Sequence, residues 1–261
     1  MKQNYFSETS SDRKRYARIP KLSSLGKVPV LHKAAFRAKM FLENWPWLSI
    51  ALRRQMHARH PSISKYVTKG HKLVIDGYPR SGNSYSRLQF LEANPGTEPH
   101  FGNHIHLASQ LILAVRYALP AALLLRKPEE AVVSYGAFRI KEVTGGSMTI
   151  EAILEQNCRY YYDMHRRLLP YRDRILVSRF EDVITDYAGV IDRLNCKFGC
   201  SFELPDCSKS KDGRIIDEAP EHLAPSSKRN QLKKEIESYI HKNCFSAELK
   251  KCKQVYDALL G

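Results

Sequence analysis

Residues 77–84 read Gly77-Tyr78-Pro79-Arg80-Ser81-Gly82-Asn83-Ser84, which is the glycine spacing of a phosphate-binding loop. In the motif G-x-x-x-x-G-K-[ST], backbone amides surround the α- and β-phosphates, the lysine reaches the β/γ-phosphates and the hydroxyl binds magnesium. Here Asn83 stands at the lysine position, and a cation occurs three residues earlier, at Arg80. The loop therefore predicts a phosphate-like ligand with a shorter 5′ anion than that of ATP.

The sequence around this loop fits a strand, a turn and a helix in that order. Residues 72–76 form a short apolar, β-branched run, and residues 84–93 carry apolar side chains at helical spacing before Asn-Pro-Gly ends them. The helix N-terminus would direct unpaired amides and a positive dipole end at an anion in the loop. The alternative is a glycine-rich turn that matches by chance.

A second anion site is predicted after the apolar strand 121–125, where Arg126 stands at the carboxyl edge. Pro128 and two following glutamates indicate a helix start, which puts Ser134 in the second turn of that helix. An ATPase would place a magnesium-binding acid at such a strand end, so a cation there argues against a metal. The structural alternative is an arginine that caps the sheet edge and a serine that fills a gap.

These residues together resemble the sulfotransferases that use 3′-phosphoadenosine 5′-phosphosulfate (PAPS). Residues 78–85 are similar to the family's 5′-phosphosulfate loop, Y-P-K-S-G-T-T-W, with Arg80 at the lysine position. Arg126 and Ser134 match the arginine and serine that hold the 3′-phosphate. Residues 179–182 (R-F-E-D) resemble the family's R-Y-E-D-L.

The segment N-H-I-H-L-A at 103–108 is similar to the family's K-T-H-L-P, which places His106 at the catalytic histidine and His104 at the lysine. The family's C-terminal segment, R-K-G-x-x-G-D-W-K, is matched in this chain only by P-S-S-K-R at 225–229. A basic start of an exposed helix over 228–242 is the alternative there. The resemblance implies these PAPS-binding residues: Arg80, Ser81, Gly82, Asn83, Ser84, Tyr85, Arg126, Ser134, Ser227, Lys228 and Arg229.

The resemblance implies PAPS as co-substrate, no metal, and an α/β fold with a three-layer parallel sheet of P-loop type. Sulfuryl transfer resembles phosphoryl transfer, so positioning, charge stabilisation and a base are needed. Arg80 would stabilise the leaving phosphate, and His106 would accept the acceptor proton. His104, Tyr160 and Tyr161 are candidates for acceptor binding. A backbone-bonded histidine and tyrosines that fill the core are the alternatives.

The composition predicts a soluble, cytoplasmic protein with one α/β core. The chain has 261 residues, 43% hydrophobic content, no apolar run that could span a bilayer, and no apolar signal segment at the N-terminus. The six cysteines are expected to be reduced thiols. A zinc site at Cys196, Cys200 and Cys207 would lack a fourth ligand and C-x-x-C spacing.

Residues 1–70 carry a net charge of +12, from 15 Lys/Arg against three acids, out of +15 for the chain. The predicted division is a basic, partly helical extension at 1–70 and a PAPS-binding domain at 71–261. Within the extension, residues 33–54 mix apolar and cationic side chains around Pro46. Such a segment suits an anionic membrane surface or an acidic acceptor, or a helical pair with a solvated basic face.

Apolar spacing also predicts helices over 107–118, 150–169, 182–198 and 245–260, and strands near 73–76, 121–125 and 174–180. Two other classes of function remain open. A small-molecule kinase should have a lysine at position 83 and an acid after a neighbouring strand. A nucleic-acid-binding module would explain the basic extension but not the anion sites. We therefore expect a small-molecule or saccharide acceptor and no nucleic acid.

Overall fold

Four parallel strands form the centre of the computed structural model, which describes residues 29–140, 148–206, 227–242 and 245–261. Their order in the sheet is β2-β1-β3-β4. The strands are β1 (Leu73–Gly77), β2 (Phe101–Asn103), β3 (Ala121–Leu125) and β4 (Leu176–Arg179). β1 and β3 are buried along their whole length, as expected for parallel strands that helices cover on both faces.

Helices precede, connect and follow the strands. They are α1 (Pro29–Leu42), α2 (Pro46–Met56), α3 (Asn83–Ala93), α4 (Ala108–Arg116), α5 (Pro128–Phe138), α6 (Ile150–Leu168), α7 (Phe180–Thr185), α8 (Tyr187–Phe198), α9 (Ser227–Lys242) and α10 (Ser246–Leu260). The predicted helix over 182–198 is in fact two helices. They are divided at Asp186, whose carboxylate accepts the N–H of Gly189 at 3.0 Å and so caps α8.

The side chains of β1 alternate between two hydrophobic cores. Leu73 and Ile75 face one core, which α3 and α8 cover, and Val74 faces the other, which includes residues of α4, α5, α6 and α10. Such alternation follows from the twofold period of a strand. The α/β class and the three-layer parallel arrangement are thereby confirmed.

The order in which strands are added to the sheet reverses at β1. The chain moves from β1 to β2 on one side, and then returns over β1 to β3 on the other side. In open α/β sheets, ligands bind outside the carboxyl ends of the strands at such a switch point. The loop 78–82 lies at this position, directly after β1.

Helices α1 and α2 pack against the core that contains Val74. Met40 and Ile50 are buried in the cluster that contains α4 and α6. The buried carboxylate of Glu43 accepts the N–H and the hydroxyl of Ser109, at 3.1 and 2.9 Å, and the hydroxyl of Ser49. An acid in this position stabilises the N-terminus of α4 and fixes the hairpin there.

None of the helices in the described ranges combines the length and apolar character that a bilayer crossing requires.

Candidate active site

The loop between β1 and α3 needs two glycines for different reasons. A Cβ on Gly77 would lie 2.3 Å from the carbonyl oxygen of Leu124, so only glycine allows β1 and β3 to approach this closely. Gly82 has a φ of +86°, the left-handed conformation, and it is the N-cap of α3. Arg80 also has a positive φ, of 71°, which is unusual for a residue with a side chain.

Asn83 holds the loop closed. Its Nδ2 donates to the carbonyl oxygen of Tyr78 at 3.0 Å, and the side chain is buried. A P-loop lysine at this position would reach the β/γ-phosphates, whereas the Asn83 amide bonds the loop's own backbone. Ser81 is fully buried, and its Oγ has no hydrogen-bond partner among the described residues. A buried hydroxyl of this kind suits a ligand that supplies the missing bond.

Arg126 joins β3 to the loop. Its Nη1 donates to the carbonyl oxygen of Arg80 at 2.9 Å, and its guanidinium stacks on Phe180 at 4.0 Å. Nε and Nη2 donate to one carboxylate oxygen of Glu130, at 3.2 and 3.0 Å. The hydroxyl of Tyr161 donates to the carbonyl oxygen of Arg126 at 2.6 Å. Arg126 is thus held at the mouth of the loop with a carboxylate as its counter-ion.

Ser134 brings the third predicted anion ligand to the same place. It is buried in the second turn of α5, and the Nε of Arg80 lies 3.5 Å from its Oγ. Arg80, Arg126 and Ser134 are therefore together at one sheet edge. Ser84 and Tyr85 are half-buried in the first turn of α3.

His106 presents one nitrogen as a base. Its Nδ1 lies 2.8 Å from the carbonyl oxygen of Gly77. A carbonyl only accepts hydrogen bonds, so Nδ1 carries the proton and Nε2 keeps its lone pair. Burial lowers the pKa of His106 to about 4, which makes the imidazole neutral at neutral pH.

Asp76 positions the segment that carries His106. Its fully buried carboxylate accepts the N–H groups of Gly77 at 2.8 Å, of Ile105 at 2.9 Å and of His106 at 3.0 and 3.2 Å. Oδ1 also lies 3.5 Å from Nδ1 of His106. Burial raises the pKa of Asp76 to about 7 against the effect of these hydrogen bonds. His104 and His106 both have a φ of 60°, so this segment is locally strained.

Tyr160 and Lys39 lie beside the histidine. The hydroxyl of Tyr160 donates to the carbonyl oxygen of His106, and the Nζ of Lys39 lies 3.9 Å from the centre of the Tyr160 ring. The ring of His104 is 4.7 Å from that of His106. Tyr161 is fully buried, so its position serves Arg126 and offers no exposed surface to an acceptor.

The C-terminal residues Ser227, Lys228 and Arg229 open α9, and their side chains lie outside the described part of the structure. The thiol of Cys207 also lies outside it. Within the described ranges, no group of three or more His, Cys, Asp or Glu side chains is arranged to hold a metal.

The sequence does not predict the roles of three residues at this site. Asp76 had a usable signal, because it is an acid inside an otherwise apolar buried strand. Phe180 and Lys39 had none, since an aromatic after a strand and a lysine on a basic helix are common. Only the fold brings these two side chains to Arg126 and to Tyr160.

A comparison of the sequence with protein-family models finds no match, and a search among curated proteins finds none either. Among solved structures, the chain is similar to mouse sulfotransferase SULT7A1 complexed with PAP, at 13% sequence identity and a TM-score of 0.46. The similarity covers 74% of this chain and 92% of the mouse chain. A similarity of this size assigns no residue and no substrate.

Proposed function

We propose that this protein is a sulfotransferase that transfers the sulfuryl group of PAPS to a hydroxyl or amino group of a small-molecule or saccharide acceptor. The observation that carries the proposal is the meeting of Arg80, Arg126 and Ser134 at the switch point of the sheet. His106 lies against the start of the same loop, with its Nδ1 2.8 Å from the carbonyl oxygen of Gly77. Two anion sites and a base next to one loop fit a nucleotide with two separate phosphate groups.

The side chains of the candidate site are of the types that would bind the charged groups of PAPS. The amides at the start of α3, the Ser81 hydroxyl and Arg80 suit the 5′-phosphosulfate, and Arg126 with Ser134 suits the 3′-phosphate. Glu130 now neutralises Arg126, so binding of the 3′-phosphate replaces one anionic partner by another. We also propose that the side chains of Ser227, Lys228 and Arg229 bind the adenosine end of PAPS.

The chemistry needs three contributions from the chain. PAPS supplies the sulfuryl group, whose bond to the 5′-phosphate breaks as the bond to the acceptor forms. Arg80 and the loop amides stabilise the negative charge that develops on the leaving phosphate. Nε2 of His106 takes the proton of the acceptor, and the neutral state of the imidazole at pH 7 keeps it ready to do so.

A kinase is the second function that the loop suggests, and two observations argue against it. The Asn83 amide bonds the Tyr78 carbonyl and so has no reach toward a γ-phosphate. The position after β3, where a magnesium-binding acid would stand, carries the guanidinium of Arg126.

The test is sulfuryl transfer from radiolabelled PAPS to a panel of phenols, alcohols, amines and saccharides, with products identified by mass spectrometry. His106→Ala should lower turnover by roughly 10²-fold or more at unchanged PAPS affinity, because a base acts in the transition state. His104→Ala is the matched control with a milder expected effect. Loss of activity in His104→Ala with full activity in His106→Ala would contradict the base assignment.

A further inference from the structure

Lys39 is a cation at the candidate active site that the chemistry above does not use. It comes from α1, and its Nζ lies over the ring of Tyr160, whose hydroxyl bonds the backbone of His106. Lys39 is close enough to His106 to lower the pKa of the imidazole electrostatically. The side chain makes no ion pair within 4 Å among the described residues.

Arg139 is a second cation in the same region. Its side chain is 9% exposed, and its guanidinium donates to the neutral oxygens of Asn157 and Gln156, at 2.9 and 2.8 Å, and to the sulfur of Met148 at 3.8 Å. No carboxylate of the described residues pairs with it. A buried guanidinium with only neutral partners leaves positive charge that water does not screen.

Arg53 is the third cation, and its Nε is buried without a hydrogen-bond partner among the described residues. Burial, Arg53 and Arg139 together lower the pKa of Lys39 to about 7. Glu43 acts in the opposite direction. Its carboxylate already accepts three hydrogen bonds, from Ser49 and Ser109. A second acid, Asp76, lies against His106, and a further cation, Lys65, also acts on that imidazole. The four cations Lys39, Arg53, Arg139 and Lys65 therefore outnumber the two acids Glu43 and Asp76 in the region next to His106.

We propose that Lys39, with Arg53 and Arg139 near it, binds an anionic group of the acceptor, which is a carboxylate, a sulfate or a phosphate. This proposal rests on the proposed function, because it places the acceptor between Lys39 and His106. An oxyanion would balance the cations that outnumber Glu43 and Asp76, and it would make a charge-assisted hydrogen bond to Nζ. Binding of the anion favours the charged lysine, so the acceptor is taken up together with a proton at neutral pH.

The alternative is a structural role, in which Lys39 only stacks on Tyr160. Lys69 provides a matched control, since its exposed side chain also lies over a tyrosine ring, that of Tyr117, at 6.0 Å. A lysine that only stacks should show no response to an oxyanion beyond that of Lys69.

The first experiment needs no turnover. Lysines of the full-length protein are labelled with [13C]methyl groups, the protein is saturated with adenosine 3′,5′-bisphosphate, and the pKa of Lys39 is followed by NMR in sodium sulfate and in sodium chloride of equal ionic strength. Sulfate should raise the pKa of Lys39 by about one unit or more and leave Lys69 unchanged. Lys39→Met identifies the signal. An equal pKa for Lys39 in both salts would overturn the proposal.

The second experiment uses acceptors in pairs that differ only in an anionic group, such as (4-hydroxyphenyl)acetate against its amide and 4-nitrophenyl glucuronide against the glucoside. Binding to the nucleotide-saturated protein is measured by calorimetry. The charged member should bind about tenfold or more tightly, and Lys39→Met should remove that difference while Lys69→Met keeps it. A preference that survives Lys39→Met would overturn the proposal. Absence of sulfuryl transfer with a normal anion response would instead contradict the proposed function alone.

Discussion

Replacement of Asp76 by asparagine should change how the stability of the protein depends on pH. The carboxylate is fully buried and accepts backbone N–H groups of Gly77, Ile105 and His106. Its pKa is raised from 3.8 to about 7 because burial disfavours the charged form. A raised pKa means that the contribution of this group is complete below pH 3.8 and is lost as the pH rises to about 7. The free energy of unfolding therefore falls by about 4 kcal/mol, at 1.36 kcal/mol for each pH unit between the two pKa values.

Asparagine does not titrate, so the stability of Asp76→Asn relative to the wild type should rise by about 4 kcal/mol between pH 4 and pH 8. Against this gain stands a pH-independent cost of about 1–3 kcal/mol, since the Asn amide would face N–H donors that lose their acceptor. Urea unfolding followed by circular dichroism at several pH values measures both terms. The exposed Asp192→Asn is the matched control for removal of a surface carboxylate. A stability difference between Asp76→Asn and the wild type that stays constant from pH 4 to pH 8 would show that the pKa of Asp76 is not raised into this range.

Two further substitutions test the loop and the second anion site. Gly77→Ala should destabilise the protein by more than about 2 kcal/mol, because the new Cβ would lie 2.3 Å from the Leu124 carbonyl oxygen. Gly70→Ala, whose Cβ would make an ordinary contact of 3.8 Å with the Thr68 hydroxyl oxygen, should be nearly neutral in the same urea titration. Arg126→Ala should raise the Michaelis constant for PAPS by the equivalent of roughly 1.5–3 kcal/mol, since it removes a charge-assisted contact, and steady-state kinetics that show a loss of turnover alone would contradict a binding role.

Much of the fold was predictable because strong local signals agree with the tertiary structure. The apolar runs at 73–76 and 121–125 are strands, and Pro46 divides the N-terminal helices as its effect on a helix predicts. The strand β2 was not predicted, since three residues, Phe101 to Asn103, carry no periodicity. Its pairing with β1 is a tertiary contact that the sequence pattern does not encode.

The candidate site was predictable to the extent that it depends on strand ends. Arg80 and Arg126 follow neighbouring parallel strands, whose carboxyl ends meet at one edge. Their direct contact through the Arg80 carbonyl, and the pairing of Arg126 with Glu130, depend on side-chain positions that only the structure defines. In the sequence, Lys39 belongs to the basic extension and lies far from His106, so the sequence does not indicate that the two side chains are close in space.

We expect the two phosphate sites, which are built from cations, hydroxyls and amides, to bind a nucleotide without a metal. The most direct measurement is the melting temperature with adenosine 3′,5′-bisphosphate in EDTA and with ATP–magnesium. At a hundredfold excess over its dissociation constant, the bisphosphate should stabilise the protein by about 2.7 kcal/mol, a shift of roughly 5–10 °C for a chain of this size. ATP–magnesium should shift it much less. Equal shifts with the two nucleotides, or none with the bisphosphate, would contradict metal-free binding of a bisphosphate nucleotide at these two sites.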